Sequence, residues 1–171
     1  MADNYSGAFI GTWIDGVYYV TCVADAKYPE DRKIAGGMGE KVPDKDKGTV
    51  PETAEQCMVR EVNHETGVQV LEAMLVHEES RGNHTRYFFL ATKVSGLMTP
   101  GMTRKFLEKK AGDVVEEEVT AYMIPLEEFA RRLFRDQLPA FKKILEQLAT
   151  DVKFFRKYES LISKYTEQYK V

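Results

Sequence analysis

The sequence predicts a mixed α+β fold in which antiparallel strands and interspersed helices are arranged about one sheet. Strand-like runs rich in β-branched and aromatic residues alternate with turn dipeptides over most of the first 125 residues. A capped, amphipathic segment follows residue 53, and an apolar stripe at helical spacing begins at Phe141. The length of 171 residues suits one compact domain with an appended helix.

Five apolar runs predict the strands. "AFIGTWIDGVYYVTCVA" holds two of them, joined by Asp15-Gly16, a strong signal for a two-residue hairpin. "VQVLEAMLVHEES" and "TRYFFLATKV" are separated by "RGNH", and "VTAYMI" follows an acidic triplet, residues 116–118. Pro125 then introduces a short helix, "LEEFARRLF". The polar stretch 27–51, which is rich in glycine and proline, is expected to be a loop that is ordered only in part.

The C-terminal stretch predicts one long helix. Its apolar residues mostly alternate in steps of four and three, as in a heptad: Phe141, Leu145, Leu148, Val152, Phe155 and Ile162. A helix from residue 139 to about residue 169 would be ~45 Å long at ~1.5 Å per residue. The stripe packs either on its own domain or on a partner, for example in a homodimer. The chain is therefore divided into residues 1–138 and a C-terminal helical extension, residues 139–171.

Charge and cysteine content argue against several classes of function. The chain has 24 basic and 27 acidic residues and a formal charge of only −3, which gives no reason to expect tight binding to nucleic acid or membranes. Cys22 and Cys57 lack CxxC spacing and are typical of reduced, buried thiols. No basic-then-apolar leader opens the sequence, and no apolar run approaches ~20 residues, so a soluble cytoplasmic protein is expected.

The amphipathic segment has well-defined helix ends. Thr53 and Gln56 have the spacing of a Thr-x-x-Gln capping box, and Gly67 suits the first position beyond the helix. At ~100° per residue, one side of this helix is apolar and is expected to face the core. That side carries Met58, Val59 and Val62.

The same helix concentrates carboxylates. Glu61 and Glu65 are four residues apart and are therefore neighbours, and His64 lies beside both. Like charges at this spacing destabilise an isolated helix by about 0.3 kcal/mol, and Arg60 alone cannot easily pair with Glu61, Glu65 and the nearby Glu52. A divalent cation would explain the crowding, because Mg²⁺ is held by one or two carboxylates, waters and substrate phosphates. A solvated acidic face is the alternative explanation.

Residues 52–68 resemble the Nudix box, the pattern G-x5-E-x7-R-E-U-x-E-E-x-G-U in which U is a bulky aliphatic residue. The matching residues are Arg60-Glu61 for the Arg-Glu pair, Val62 for the aliphatic place, His64-Glu65 for the Glu-Glu pair and Gly67-Val68 for the end. Glu52 stands eight residues before Arg60, as the pattern requires. A match of several residues at fixed offsets is far more specific than two glutamates on a helix.

Two positions depart from the pattern. Asp46 stands where the pattern has its first glycine; the nearest counterpart is "AGGMGE", residues 35–40, which implies an insertion of roughly nine residues, and a longer loop is easily tolerated. His64 stands where the family has a glutamate. Imidazole is a better ligand for Mn²⁺, Zn²⁺ or Co²⁺ than for Mg²⁺, so His64 either shifts one metal site toward softer ions or faces solvent.

The resemblance covers about residues 7–135 and implies a Nudix fold, an α/β/α sandwich with a mixed sheet. Such proteins generally hydrolyse a nucleoside diphosphate linked to another group. Water attacks a phosphorus of the pyrophosphate, and divalent metals, here Mg²⁺ or Mn²⁺, neutralise the charge on its oxygens. The expected partner is thus a small nucleoside diphosphate derivative, whose base could stack on an aromatic residue of the later strands: Tyr87, Phe88, Phe89 or Tyr122.

The resemblance also implies roles for individual residues of the helix. Glu61 and Glu65 would be metal ligands and catalytic residues, and Arg60 would orient these carboxylates by charge-assisted hydrogen bonds. Glu52 would be an additional or more distant metal ligand. His64 would complete the set of metal ligands if it binds metal at all.

Further roles fall outside the helix. Gly36 and Gly37 would form a turn that lets the backbone approach the phosphates. The base that activates water often comes from a loop glutamate outside the box, where Glu116, Glu117 and Glu118 are the candidates. The bland alternative for these three is a solvated charge run before an edge strand.

A second class of function is compatible with the same residues. His64 and the displaced glycine would suit a Nudix-fold binding or regulatory module with weak or no catalysis, and the C-terminal helix would offer such a module a partner surface. Hydrolysis of a panel of nucleotides distinguishes this module from the hydrolase.

Overall fold

The computed structural model describes residues 4–96, 98–110 and 113–166. Its strands are β1 (Asn4–Ile14), β2 (Val17–Asp25), β3 (Ala35–Met38), β4 (Lys41–Asp44), β5 (Gly48–Pro51), β6 (Gln69–Arg81), β7 (His84–Ser95), β8 (Thr103–Lys110) and β9 (Asp113–Pro125). Its helices are α1 (Ala54–Thr66), α2 (Leu126–Arg132), α3 (Leu138–Leu148) and α4 (Val152–Tyr165), with a short 3-10 helix (Arg135–Gln137) before α3.

A seven-stranded mixed sheet forms the centre of the fold. Its strand order is β6-β7-β1-β2-β9-β8, and β3 pairs with β1 off this path. β1 runs parallel to β7 but antiparallel to β2 and β3, which makes the sheet mixed, as predicted. β4 and β5 form a separate two-stranded sheet.

Helices cover both faces of this sheet. Successive side chains of a strand point to opposite faces, so Ala8 and Ile10 of β1 pack in the core beneath α1. Phe9, between them, packs in the core beneath α2, α3 and α4, where its ring contacts those of Phe129 and Phe141. The predicted α/β/α sandwich is therefore confirmed.

The predicted hairpins form at their turn residues. Asp15 and Gly16 have φ values of 50° and 78°, and positive φ at both positions matches the turn to the twist of its strands. Ile14 consequently pairs with Val17. The β6–β7 hairpin turns at Gly82, which also has a positive φ, 62°.

The stretch 27–51 holds more regular structure than its composition predicts. β3 joins the main sheet, and β4 and β5 form a hairpin between Glu40 and Glu52. The N–H of Glu52 donates to the carbonyl oxygen of Glu40 at 2.7 Å, which closes the base of this hairpin. The insertion inferred from the displaced glycine therefore folds as a β-hairpin whose two ends are hydrogen-bonded to each other. This hairpin returns the chain to the end of β3, where Glu52 lies.

The prediction of one long C-terminal helix is wrong for the described residues. The helix is interrupted between α3 and α4, because the side chain of Asp151 caps the start of α4 by accepting from Phe154 N at 2.9 Å. The break changes which residues are buried: Val152 is 63% exposed, whereas Phe154 and Ile162 are buried. Residues 167–171, the predicted end of the helix, lie outside the described residues. Among the residues that are described, no helix is long and apolar enough to span a membrane.

The apolar side of α3 and α4 packs on the chain itself. Phe141, Leu145 and Ile162 are fully buried in the same core cluster as Phe9 and Phe129 of the preceding sequence. The first of the two alternatives for the stripe is thus the one observed for these three residues. A homodimer through this segment remains a prediction, as does the division of the chain at residue 138.

Candidate active site

α1 carries the candidate site, and its ends form as predicted. Thr53 Oγ1 accepts from Gln56 N at 3.1 Å, and Gln56 Oε1 accepts from Thr53 N at 3.0 Å, which is the reciprocal capping box. Gly67 ends the helix with a φ of 80°, a left-handed value that glycine adopts without strain. Met58 and Val62 are fully buried beneath the sheet, and this fixes which side of α1 faces β3.

Glu61 and Glu65 direct their carboxylates at β3. Their exposed fractions are 1% and 7%. The N–H of Gly36 donates to Oε1 of Glu65 at 2.7 Å, and a Cβ on Gly37 would lie 2.5 Å from Cδ of Glu61. The two glycines belong to β3 rather than to a turn. The missing side chain of Gly37 leaves room for the Glu61 carboxylate, whereas Gly36 contacts Glu65 through its backbone N–H.

Arg60 connects three parts of the site. Its Nε and Nη2 donate to the two carboxylate oxygens of Glu52 at 2.9 and 2.8 Å, and its Nη1 donates to Oε1 of Glu61 at 2.6 Å. Nη2 also donates to the carbonyl oxygen of Met38 at 2.9 Å. Burial alone would lower the pKa of Arg60, but the carboxylates outweigh it and raise that pKa. Arg60 is thus a charged anchor that fixes the orientation of Glu61.

The side chain of Glu52 accepts hydrogen bonds from both Arg60 and the inserted hairpin. Its side chain is 4% exposed, and its Oε1 also accepts from the N–H of Glu40 at 2.7 Å. Burial acts to raise the pKa of Glu52, but the hydrogen bonds from Arg60 and Glu40 hold it below its usual range. Both carboxylate oxygens of Glu52 accept from Arg60, so Glu52 is better placed to anchor α1 than to bind a metal ion.

His64 lies apart from the buried carboxylates. Its side chain is exposed, whereas those of Glu61 and Glu65 are buried. The imidazole centre is 5.9 Å from the ring centre of Phe106 in β8, at an interplanar angle of 47°. The departure from the Nudix box therefore puts an aromatic contact with β8 at this position.

Strand alternation separates the three candidate glutamates. Glu116, Glu117 and Glu118 lie within β9, not in a loop before it. Glu117 is half-buried and pairs across the ladder with Phe106, whereas Glu116 and Glu118 are exposed. Because adjacent strand residues point to opposite faces, Glu117 is the member of the triplet that lines the cleft described next.

A cleft of about 290 Å³ opens beside Glu65. Its wall is formed by Tyr5, Val23, Asp25, Lys33, Ile34, Gly36, Gly37, Met38, Glu65, Arg81, His84, Arg86, Phe106, Glu117, Val119, Phe134, Asp136 and Gln137. Part of the wall is a network in which Asp136 accepts from Arg81 at 2.6 Å and from Arg86 at 2.8 Å. The cleft thus combines carboxylates, a glycine-rich strand and compensated charges in one small space.

The four predicted metal ligands do not form one cluster. Within residues 4–96, 98–110 and 113–166, no group of three or more His, Cys, Asp or Glu side chains has an arrangement suited to a metal ion. Glu52 is turned to Arg60 and His64 to Phe106, which leaves Glu61 and Glu65 together against β3. Two carboxylates nevertheless fit Mg²⁺ or Mn²⁺, because the shell of such an ion is commonly completed by water and substrate phosphates.

Gly37→Ala is expected to displace Glu61. The new Cβ would lie 2.5 Å from Cδ of Glu61, while Arg60 holds the same carboxylate. We expect Mn²⁺ affinity, measured by electron paramagnetic resonance, to fall by about tenfold. Gly39→Ala is the matched control, since the nearest contact of its Cβ would be Asn4 O at 3.5 Å, an ordinary distance. Equal Mn²⁺ affinities of the two variants would contradict this placement of Glu61.

Several residues of the cleft were not singled out from the sequence. Arg86, Asp136 and Gln137 come from β7 and from the short 3-10 helix, and their proximity depends on the tertiary fold. Arg86 did carry a signal, because a charged residue within the apolar run "TRYFFL" is unusual. The aromatic residues of the cleft wall are Tyr5, Phe106 and Phe134. None of them is among the residues that the sequence suggested for stacking on a base, which were Tyr87, Phe88, Phe89 and Tyr122.

No protein-family profile matches the chain, and no curated protein sequence matches it either. Solved structures do. A MutT NUDIX hydrolase from Burkholderia pseudomallei is 17% identical with a TM-score of 0.52, covering 82% of this chain and 98% of its own. A MutT studied from Aliivibrio salmonicida and Vibrio cholerae is 19% identical with a TM-score of 0.56, covering 85% and 98%.

A third similar structure is the NUDIX domain of Shewanella oneidensis NrtR, which was crystallised with ADP ribose. It is 16% identical with a TM-score of 0.53, and the match covers 85% of this chain and 87% of that one. Identities this low carry information on the fold alone. The sheet order, the two helical layers and these similarities together show that the chain has the Nudix fold.

Proposed function

We propose that the chain hydrolyses the pyrophosphate bond of a nucleoside diphosphate linked to another group, with the help of a divalent metal ion. The observation that carries this proposal is the pair of buried carboxylates, Glu61 and Glu65, held one helical turn apart against Gly36 and Gly37. Glu65 opens onto a cleft that Glu117 also lines. Two acids at that spacing repel one another; Arg60 offsets part of this repulsion through its hydrogen bond to Glu61, and a bound divalent cation would offset more of it.

The metal would be Mg²⁺ or Mn²⁺, held by Glu61 and Glu65. When bound, such an ion neutralises charge on the phosphate oxygens. The chain contributes the orientation of its ligands: Arg60 fixes Glu61 through a 2.6 Å hydrogen bond, and Gly36 N–H fixes Glu65 at 2.7 Å. Preset ligand positions lower the cost of binding the ion.

Glu117 is the proposed base that takes a proton from the attacking water. A general base has to lie within hydrogen-bond reach of that water, and Glu117 shares the cleft wall with Glu65. Glu118, the adjacent candidate, is exposed. The matched variants Glu117→Gln and Glu118→Gln separate the two, with a large loss of turnover expected for the first.

The proposed substrate is a nucleotide derivative of modest size. The NUDIX domain of NrtR, which resembles this chain in fold, was crystallised with ADP ribose. In this chain the cleft of about 290 Å³ offers the rings of Phe106 and Phe134 as apolar surfaces for a base or sugar. The partner proposed here is therefore a small molecule.

A Nudix-fold binding or regulatory module is the second candidate function. The exposed position of His64, at a place where the family has a glutamate, favours it, because fewer carboxylates remain to hold metal. Such a module would bind the nucleotide in the same cleft without cleaving it.

One assay distinguishes the two functions. The protein is incubated with nucleoside diphosphate derivatives, including ADP-ribose, in the presence of Mg²⁺ or Mn²⁺, and phosphate is measured after phosphatase treatment. The hydrolase predicts release with at least one compound and no release when EDTA is present. Thermal stabilisation by a compound without any release would overturn the hydrolase and support the binding module.

A further inference from the structure

Gln137 is a buried polar residue at the start of the C-terminal helices. It is 3% exposed and ends the short 3-10 helix before α3. Its Oε1 accepts from the backbone N–H of Ile34 at 2.7 Å, and its Nε2 donates to the hydroxyl of Tyr5 at 3.3 Å. Both ends of the amide are thus engaged, which is what a buried amide needs in order not to destabilise the fold.

The partners of Gln137 lie directly beside the glycine strand. The hydroxyl of Tyr5 donates to the carbonyl oxygen of Ile34 at 3.4 Å. Gln137 and Tyr5 therefore bind the backbone N–H and the backbone carbonyl of Ile34, respectively. Two residues later, the N–H of Gly36 donates to Oε1 of Glu65 at 2.7 Å. The Tyr5 hydroxyl also lies close to Gly36, since a Cβ there would be 2.7 Å from it.

The segment that carries Gln137 is itself fixed in place. The N–H of Phe134 donates to the carbonyl oxygen of Arg32 at 2.9 Å. Asp136 accepts from Arg81 and Arg86 at 2.6 and 2.8 Å. A residue anchored on both sides can transmit its position to the strand it contacts, because packed interiors do not deform continuously.

We propose that Gln137 is a positioning residue, which sets the place of Ile34 and Gly36 and through them the orientation of the Glu65 carboxylate. The C-terminal helices then support the site as well as the core. The role of Glu65 as a metal ligand rests on the proposed function; the hydrogen bond between Gly36 and Glu65 does not.

Residue-resolved amide hydrogen exchange tests the geometric step. In Gln137→Met, the amides of Ile34 and Gly36 are expected to exchange at least tenfold faster, because the first loses its acceptor and the second loses its fixed position. Gln147→Met, the same change on α3, is the matched control and is expected to leave both amides as in the unaltered protein. Tyr5→Phe gives the same direction of change from the other side of Ile34, should Gln137→Met fold poorly.

Mn²⁺ affinity, measured by electron paramagnetic resonance, tests the step from geometry to ligand. We expect about tenfold weaker binding in Gln137→Met and unchanged binding in Gln147→Met. A Gly36 amide that stays protected in both Gln137→Met and Tyr5→Phe would overturn the proposal, whether or not the protein binds metal. Faster exchange of that amide with Mn²⁺ affinity unchanged would also overturn it. An unaltered protein without any Mn²⁺ binding would instead refute the proposed function, and the exchange rates alone would then decide whether Gln137 positions Glu65.

Discussion

Glu65→Gln is expected to lower the rate of pyrophosphate hydrolysis by about a thousandfold. The substitution keeps the size of the side chain and its ability to accept from Gly36 N–H, a bond of 2.7 Å in the structure. It removes the negative charge that would hold the metal. The measurement is the turnover rate with saturating Mn²⁺ on a compound that the unaltered protein cleaves.

Glu55→Gln is the matched control for this variant. Glu55 lies in the first turn of the same helix, is exposed and is outside the cleft wall. Its turnover rate is expected to stay within about twofold of that of the unaltered protein, as is usual for a surface substitution. If Glu55→Gln and Glu65→Gln lose activity equally, the loss reflects damage to α1 rather than the loss of a ligand.

Arg60→Met is expected to lower the free energy of unfolding by about 3 kcal/mol. Arg60 is the shared partner of Glu52 and Glu61, whose side chains are 4% and 1% exposed. Without the guanidinium, two nearly buried carboxylates lose their cation, and the base of the inserted hairpin loses its anchor. Urea denaturation followed by circular dichroism measures the change.

Two further variants test the reason for this loss. Arg156→Met removes an exposed arginine of α4 and is expected to change the free energy of unfolding by less than about 0.5 kcal/mol. Adding Glu52→Gln to Arg60→Met is expected to recover part of the lost stability, because one isolated buried charge disappears. A double variant less stable than Arg60→Met alone would argue that packing, not charge, explains the effect of Arg60.

The fold was predictable wherever local signals agreed with one another. α1 had a capping box, an apolar side and a terminal glycine, and each of these appears at its predicted residue. Asp15-Gly16 defined its hairpin because few residues other than glycine, asparagine and aspartate tolerate positive φ. Local conformational preferences of this kind are written in a few adjacent residues.

The misplaced features depend on contacts that a heptad count or a charge run does not contain. The predicted apolar stripe ran through Val152 to Ile162, but the side chain of Asp151 caps a new helix at Val152, so α3 and α4 are separate helices. Glu117 and Glu118 were indistinguishable as a charge run, and strand alternation separated them once β9 was seen to include both. A helix cap decided the first case, and the alternation of side chains along a strand decided the second.

The composition of the site was predictable only in part. The spacing of Glu61 and Glu65 marked them as neighbours, but it did not indicate that both oxygens of Glu52 accept from Arg60. Glu52 faces Arg60 because the inserted hairpin brings Glu40 N–H to it at 2.7 Å, a contact across twelve residues. Gln137 and Tyr5 meet across 132 residues of sequence, and no periodic pattern records such a distance.

The proposed metal site is tested most simply by a Mn²⁺ titration of the full chain, followed by electron paramagnetic resonance, with and without a nucleoside diphosphate. The proposed site predicts one bound ion in the unaltered protein and at least about tenfold weaker binding in Glu61→Gln and in Glu65→Gln, with Glu55→Gln unchanged. No Mn²⁺ bound even with the nucleotide present, or equal affinity in all four proteins, would contradict it.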